Sequence, residues 1–97
     1  MVTEREKDIY NSYLYATRSA QGKPTRFRKD FSKIKDVDFV ALKKLSAFFI
    51  KHNHINYRDW FAAPFEVYSK DEYFDLRFFN TRKALRCYSL YMKEKEL

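Results

Sequence analysis

The stretch DVDFVALKKLSAFFIKH, residues 36–52, decides the fold because it is long, strongly apolar and contains neither Gly nor Pro. Asp36 is the expected N-cap, and the helix is predicted to run to about His52. Its apolar side chains cover more than a single stripe, whereas its three lysines mark a solvent-exposed edge. We therefore predict that this helix is central and largely buried.

A helix is also predicted on the N-terminal side, from Glu4 to Ala20. Thr3 is its expected N-cap, and the acids of its first turn suit the positive end of the helix dipole. Gly22 and Pro24 follow directly, where a C-terminal stop is common. Its apolar stripe consists of Ile9, Tyr13, Ala16 and Ala20.

Two shorter helical starts are expected after the central stretch. Asn56, with Asp59 three residues later, is typical of a helix N-terminus. Pro64 is expected to end this helix or to open a new helical piece. Ser69, with Glu72 three residues later, fits a capping box and predicts a further helical start.

A last helix is predicted from Asn80 or Thr81 to about Glu94. Its expected apolar face consists of Ala84, Leu85, Tyr88, Tyr91 and Met92.

The chain has 97 residues, of which only one is Gly and two are Pro. This length predicts one domain, and the lack of turn residues disfavours an all-β architecture. We predict an all-α fold: a small single-domain bundle of four to five helices over residues 1–97, with a basic connector at about 21–35. A β-hairpin within Phe65 to Phe79 is the main alternative.

Composition indicates a soluble protein of the cytoplasm, in a bacterial or a host cell. Cys87 is the single cysteine, so no intramolecular disulfide forms, which fits a reducing compartment. The N-terminus is charged and has no apolar core of a signal peptide, and no apolar run is long enough to span a bilayer. Abundant Lys, Phe, Tyr, Asn and Ile suggest AT-rich coding, as in many phage genes.

Positive charge is concentrated between Arg18 and Lys35. This stretch holds seven cations and one acid, Asp30, so it carries +6 of the chain's +7, while the remainder nearly balances. Such a localised excess predicts a surface that meets an anionic partner. Within it, Phe27 is expected to anchor in the core while its neighbours Arg26 and Arg28 face a phosphate backbone.

A second basic cluster lies at the start of the last helix, where a helix N-terminus also favours phosphate. If it lies beside the first cluster, the two make one cationic groove. The residues predicted to contact phosphate are Lys23, Arg26, Arg28, Lys29, Lys33, Arg82, Lys83 and Arg86.

The nineteen aromatic residues exceed what a core of this size easily holds, so a few rings are expected at the surface. Exposed rings beside arginine can stack on bases. The stacking candidates are Phe27, Tyr15, Tyr57 and Trp60.

Catalysis and metal binding are disfavoured. His52 and His54 lack the further ligands that a zinc site needs, and no Gly-flanked Ser or phosphate-binding Gly loop is present. We therefore expect no enzyme, no metal and no cofactor.

Two functions remain open. The first is a small basic nucleic-acid-binding accessory protein, of phage origin, that contacts DNA or RNA phosphates with weak sequence specificity. The second is a protein–protein interaction module, within a virion or replication complex or as an inhibitor of a host factor, that binds an acidic partner. No membrane association is expected, and the sequence leaves the oligomeric state and the choice between DNA and RNA open.

Overall fold

The structure, a computed structural model, describes residues 1–96 and contains four α-helices and one short 3₁₀ helix. The helices are α1 (Glu4–Ala20), α2 (Asp36–Lys51), α3 (Tyr57–Val67) and α4 (Arg82–Lys95), with the 3₁₀ helix at Leu76–Asn80 between α3 and α4. Residues 1–96 form no strand, so the prediction of an all-α bundle is confirmed and the alternative hairpin is wrong.

Helix α1 begins and ends where its local sequence predicts. The Thr3 amide donates to Glu6 Oε1 at 2.7 Å, and the Glu6 amide donates to Thr3 Oγ1 at 3.2 Å, which completes a capping box. Gly22, just past the helix, has φ of 69°, a left-handed conformation that glycine adopts without strain. The cap and the stop are both local signals, so the sequence alone locates them.

The central helix is α3 and not α2. Helix α3 packs against both α1 and α4 and buries Trp60, Phe61 and Phe65. Helix α2 packs against α1, the 3₁₀ helix and, through Phe48 and Phe49, the rings of α3, while Val40 and Ile50 on its other faces are 51% and 59% exposed. The prediction of a largely buried α2 is therefore wrong, because a wide apolar surface does not determine how many neighbours cover it.

The prediction for the chain after Asn56 holds at its start and fails further on. Asn56 Oδ1 accepts from the amides of Arg58 and Asp59, as expected of an N-cap. The helix nevertheless continues through Pro64 to Val67, with Pro64 itself buried. Burial of the ring against the core compensates for the backbone hydrogen bond that proline cannot donate.

The predicted helical start at Ser69 is also wrong. The Ser69 hydroxyl accepts from the amide of Asp71 at 3.1 Å and forms a turn, after which the chain is extended. Such local side-chain bonds compete with helix formation. Asp75, in place of Ser69, caps the 3₁₀ helix by accepting from the Phe78 amide at 3.0 Å.

Tyr13 joins three parts of the core. Its ring packs edge-on against Phe61 of α3 and Phe79 of the 3₁₀ helix, each with centroids 5.7 Å apart. Its hydroxyl donates to the carbonyl of Phe74 at 2.9 Å. Burial raises the pKa of Tyr13, so this hydroxyl stays protonated and keeps donating.

Helix α4 packs against α3 and the 3₁₀ helix. Thr81 is its N-cap, within the predicted start, and Ala84 and Cys87 are its buried residues. Leu85 is 47% exposed, so its place on the apolar face was predicted wrongly. Near its C-terminus, Lys95 pairs with Asp59 of α3 at 2.9 Å. Within residues 1–96, every helix is too short or too polar to cross a membrane.

Candidate nucleic-acid interface

The candidate site is built around the basic segment, which we define as residues 18–35. After α1 ends, the segment turns and runs back along that helix without forming a regular helix of its own. Its course is fixed by contacts with progressively earlier residues of α1: Arg28 meets Asn11, and Phe31 meets Tyr10. The predicted basic connector is therefore an irregular strip laid on α1.

Two contacts attach this strip to the helix. Asn11 Oδ1 accepts from the Arg28 amide at 2.8 Å, and Asn11 Nδ2 donates to the Arg28 carbonyl at 3.1 Å. Phe31, only 7% exposed, packs edge-on against Tyr10 with centroids 5.5 Å apart. A paired backbone and a buried ring fix the middle of the segment and leave its other side chains free.

The expectation that Phe27 anchors the segment is wrong. Phe27 is 56% exposed, whereas Phe31 occupies the apolar site against α1. Two phenylalanines four residues apart are equivalent in sequence, and only the position of Tyr10 distinguishes them.

Arg28 is a structural residue as well as a cation. Its Nε donates to the Asp30 carbonyl at 2.8 Å, and its guanidinium lies 5.7 Å from the Tyr10 ring centroid and 5.5 Å from that of Phe31. These cation–π contacts leave its charge unneutralised.

Asp30, the segment's single acid, is occupied by its own turn. Its carboxylate accepts from the Ser32 amide at 2.9 Å, and hydrogen bonding from Ser32, followed by the charge of Arg28, lowers the pKa of Asp30. Asp30 forms no salt bridge with the segment's cations, although it stays ionised.

The remaining cations of the segment point to solvent. Lys23, Arg26, Lys29 and Lys33 are all exposed, and within residues 1–96 no cation of the segment forms a salt bridge. The four salt bridges of the described chain belong to other parts of the fold. The segment's excess charge is therefore available to an external anion.

The second basic cluster lies elsewhere on the fold. Arg82, Lys83 and Arg86 are exposed on the first turns of α4, which packs mainly against α3 and the 3₁₀ helix. The basic segment is held on α1. The two clusters are thus positioned by different elements, and a single shared groove stays a prediction.

Two of the four stacking candidates come together. Phe27 and Tyr15, which is 40% exposed, line one shallow surface depression. Arg58 of α3 also lines it, with its guanidinium 5.0 Å from the Tyr15 ring centroid. Asp8, Asn11 and Ser12 of α1 complete the wall. We call this depression, with its two rings and Arg58, the aromatic depression.

The other two candidates have structural surroundings. Trp60 is 2% exposed and packs between Phe48 and Tyr88, so its ring is removed from the stacking candidates. Tyr57 is half-buried, with its ring centroid 4.6 Å from that of Phe49 and its hydroxyl accepting from Arg5 at 3.4 Å. Both rings pack against the aromatic core between α2 and α3. Helical spacing in the sequence does not show that they are covered in this way.

Sequence analysis missed two residues of the site, Asn11 and Arg58. Asn11 acts on a backbone 17 residues away, and no local pattern predicts that pairing. Arg58 follows the Asn56 cap, and its position beside Tyr15 depends on how α1 and α3 pack.

The described residues offer no metal-binding constellation. His52 and His54 have ring centroids 6.1 Å apart, but no group of three or more His, Cys, Asp or Glu within residues 1–96 is placed to hold an ion.

Comparisons of the chain with protein-family models, with curated proteins and with solved structures found no match. The function is therefore argued from the site itself.

Proposed function

We propose that this protein binds nucleic acid as a small basic accessory protein, of phage origin, acting in the cell interior. The observation that carries the proposal is the unneutralised charge of the basic segment. Seven cations and one acid give it an excess of six, and its cations form no salt bridge within residues 1–96. DNA and RNA are the abundant cellular polyanions whose regularly spaced phosphates match such a strip.

Binding would be driven by the release of counterions from the phosphates. Exposed lysines and arginines on an irregular backbone can follow a phosphate chain of any sequence, and phosphate contacts position a ligand without reading it. We therefore propose weak sequence specificity. Arg82, Lys83 and Arg86 would add contacts for a ligand that reaches from the basic segment to the start of α4.

The test compares two triple variants of equal charge. The first, Arg26→Gln, Lys29→Gln and Lys33→Gln, removes three exposed cations of the basic segment. The second, Lys44→Gln, Lys51→Gln and Lys93→Gln, removes three exposed cations from α2 and α4 that form no salt bridge within residues 1–96. Both lower the net charge by the same amount, so any difference between them reports the position of the charge.

Affinity is measured by fluorescence anisotropy with labelled oligonucleotides across roughly 50 to 200 mM salt. The segment variant should lower the slope of log K against log salt by roughly 2, since each lost phosphate contact removes about 0.7 to 0.9. The control variant should change it little. Equal effects of the two variants, or no salt-dependent binding by the unmodified protein, would contradict the proposal.

An acidic protein partner is the second candidate, and one surface favours it. Val37 and Val40, 43% and 51% exposed on α2, line a depression together with Lys44, Arg77 and one acid, Asp36. Arg77 is itself paired with Asp75 at 2.9 Å, so Lys44 is the cation most open to a partner. Apolar side chains with a basic rim are typical of a protein interface. The ultraviolet spectrum of freshly purified protein separates the candidates, because co-purified nucleic acid moves the absorbance maximum to shorter wavelength and an acidic protein does not.

A further inference from the structure

The aromatic depression differs from the rest of the basic surface. It holds two exposed rings and an arginine, and its other wall residues are Asp8, Asn11 and Ser12. Asp8 and Arg58 carry opposite charges, so the depression has little net charge to attract phosphate, while the Asp8 oxygens can accept from the amino groups of base edges. Phosphates therefore belong on the segment's exposed cations, and the depression suits a group that is flat and uncharged.

The rings offer flat surfaces at this point. Phe27 is 56% exposed and packs on no other ring, while Tyr15 is stacked with the exposed guanidinium of Arg58. A guanidinium plane can also accept a stacked base on its outer side. The depression thus presents Phe27 and the Tyr15–Arg58 stack to one ligand.

The aromatic depression is joined to the basic segment through the backbone of the segment itself. Phe27 is the neighbour of Arg28, whose backbone is held by Asn11, itself a wall residue of the depression. A base in the depression would thus lie within a residue or two of the segment's phosphate contacts.

From these observations, and resting on the proposed function, we infer that the ligand is single-stranded nucleic acid, with an unpaired base stacked in the aromatic depression. In a duplex both faces of every base are covered by its neighbours, so Phe27 and Tyr15 would have nothing to stack on. Every base of a single strand has a face to offer, which agrees with weak sequence specificity.

The test uses three labelled ligands: a mixed-sequence DNA strand of about 12 nucleotides, the RNA of the same sequence, and the DNA duplex. The full chain should bind at least one of the single strands about fivefold or more tighter than the duplex. Whichever strand binds tighter identifies the nucleic acid.

Phe27→Ala should weaken single-strand binding by about fivefold or more, and duplex binding far less. Tyr73→Ala, which removes a 73% exposed ring outside the depression, is the matched control and should change neither. Phe27 is a surface residue, so circular dichroism should show an unchanged fold.

Failure of this inference is distinguishable from failure of the proposed function. Duplex binding as tight as single-strand binding, or an unchanged single-strand affinity in Phe27→Ala, overturns the inference and leaves the proposed function standing. Absence of salt-dependent binding to all three ligands overturns both.

Discussion

Helix α3 and the basic segment use aromatic residues in opposite ways. Helix α3 buries Trp60, Phe61 and Phe65 between two neighbouring helices, so its rings hold the fold together. The basic segment buries one ring, Phe31, and leaves Phe27 at the surface among unpaired cations. The contrast shows that composition does not separate structural from functional rings in this chain, whereas the number of packed neighbours does.

The largest loss of stability is expected when a buried ring of α3 is removed. Phe61→Ala removes a fully buried ring that contacts Tyr13, Phe49 and Phe79, and should lower the free energy of unfolding by about 3–5 kcal/mol. Urea denaturation followed by circular dichroism measures this change. Phe61→Leu keeps more of the volume and should lose clearly less. Similar losses in the two variants would mean that the ring contacts, which both variants remove, account for the loss, and that the retained volume contributes little.

The next largest effect concerns the joint between α1 and α2. Glu6, 1% exposed, accepts from Thr3 and lies 3.2 Å from Lys43 Nζ of α2. Burial raises the pKa of Glu6, but the hydrogen bonds from Thr3 and the Lys43 ammonium outweigh it, so the pKa lies below its ordinary value of 4.5. Glu6→Gln should cost about 2 kcal/mol at neutral pH, since bonds to a charged group are lost.

The pH dependence gives the sign of this contribution. A lowered pKa in the folded state means that the carboxylate stabilises the fold above the ordinary value, and that the contribution is lost as pH falls through the folded-state value. The stability difference between the unmodified protein and Glu6→Gln should therefore shrink on acidification. A difference that stays constant with pH would show that Glu6 acts through packing alone.

A smaller effect is expected where the segment is attached to α1. Asn11→Ala removes both hydrogen bonds to the backbone of Arg28 and should destabilise the protein by about 1–2 kcal/mol, because two modest hydrogen bonds are lost. Hydrogen exchange should accelerate at the Arg28 amide more than in α3. Asn11→Asp is the informative partner, because it keeps the acceptor for that amide and loses the donor. Unchanged exchange at Arg28 in Asn11→Ala would mean that Phe31 alone fixes the segment.

The smallest effect on stability is expected at Phe27. Its exposed ring makes no ring–ring contact, so Phe27→Ala should change the free energy of unfolding by no more than about 0.5 kcal/mol. Urea denaturation alongside Phe61→Ala provides the comparison. A loss of stability as large as that of Phe61→Ala would mean that Phe27 holds the fold together, as the rings of α3 do, and would argue against its role in binding.

How well the sequence predicted each feature depends on how far apart along the chain the interacting residues lie. Caps act within three residues, and Thr3, Asn56 and Thr81 located helix starts correctly. The same reasoning failed at Ser69, which forms a turn, and at Asp36, which is the first residue of α2 while Lys35 is its N-cap. The centrality of α3, the exposure of Val40 and the helix running through Pro64 depend on which elements pack together, and no local pattern contains that information.

The candidate site divides in the same way. The concentration of charge between residues 18 and 35 is visible in the sequence, and so is the surplus of rings. The exchange of roles between Phe27 and Phe31, and the arrival of Arg58 beside Tyr15, result from tertiary contacts. Sequence therefore suggested the chemistry of the surface, and its arrangement required the fold.

The two hydrogen bonds between Asn11 and the backbone of Arg28 have an evolutionary consequence. The Asn11 side chain bonds the backbone N–H and C=O of residue 28, so these two hydrogen bonds do not depend on which side chain residue 28 carries. Only proline, which lacks the N–H, would remove one of the two. Exposed positions such as Arg26 and Lys29 can change while Asn11 and the buried Phe31 retain the path of the chain. Mutations at these positions can thus change which ligands the basic segment binds without changing how it is attached to α1.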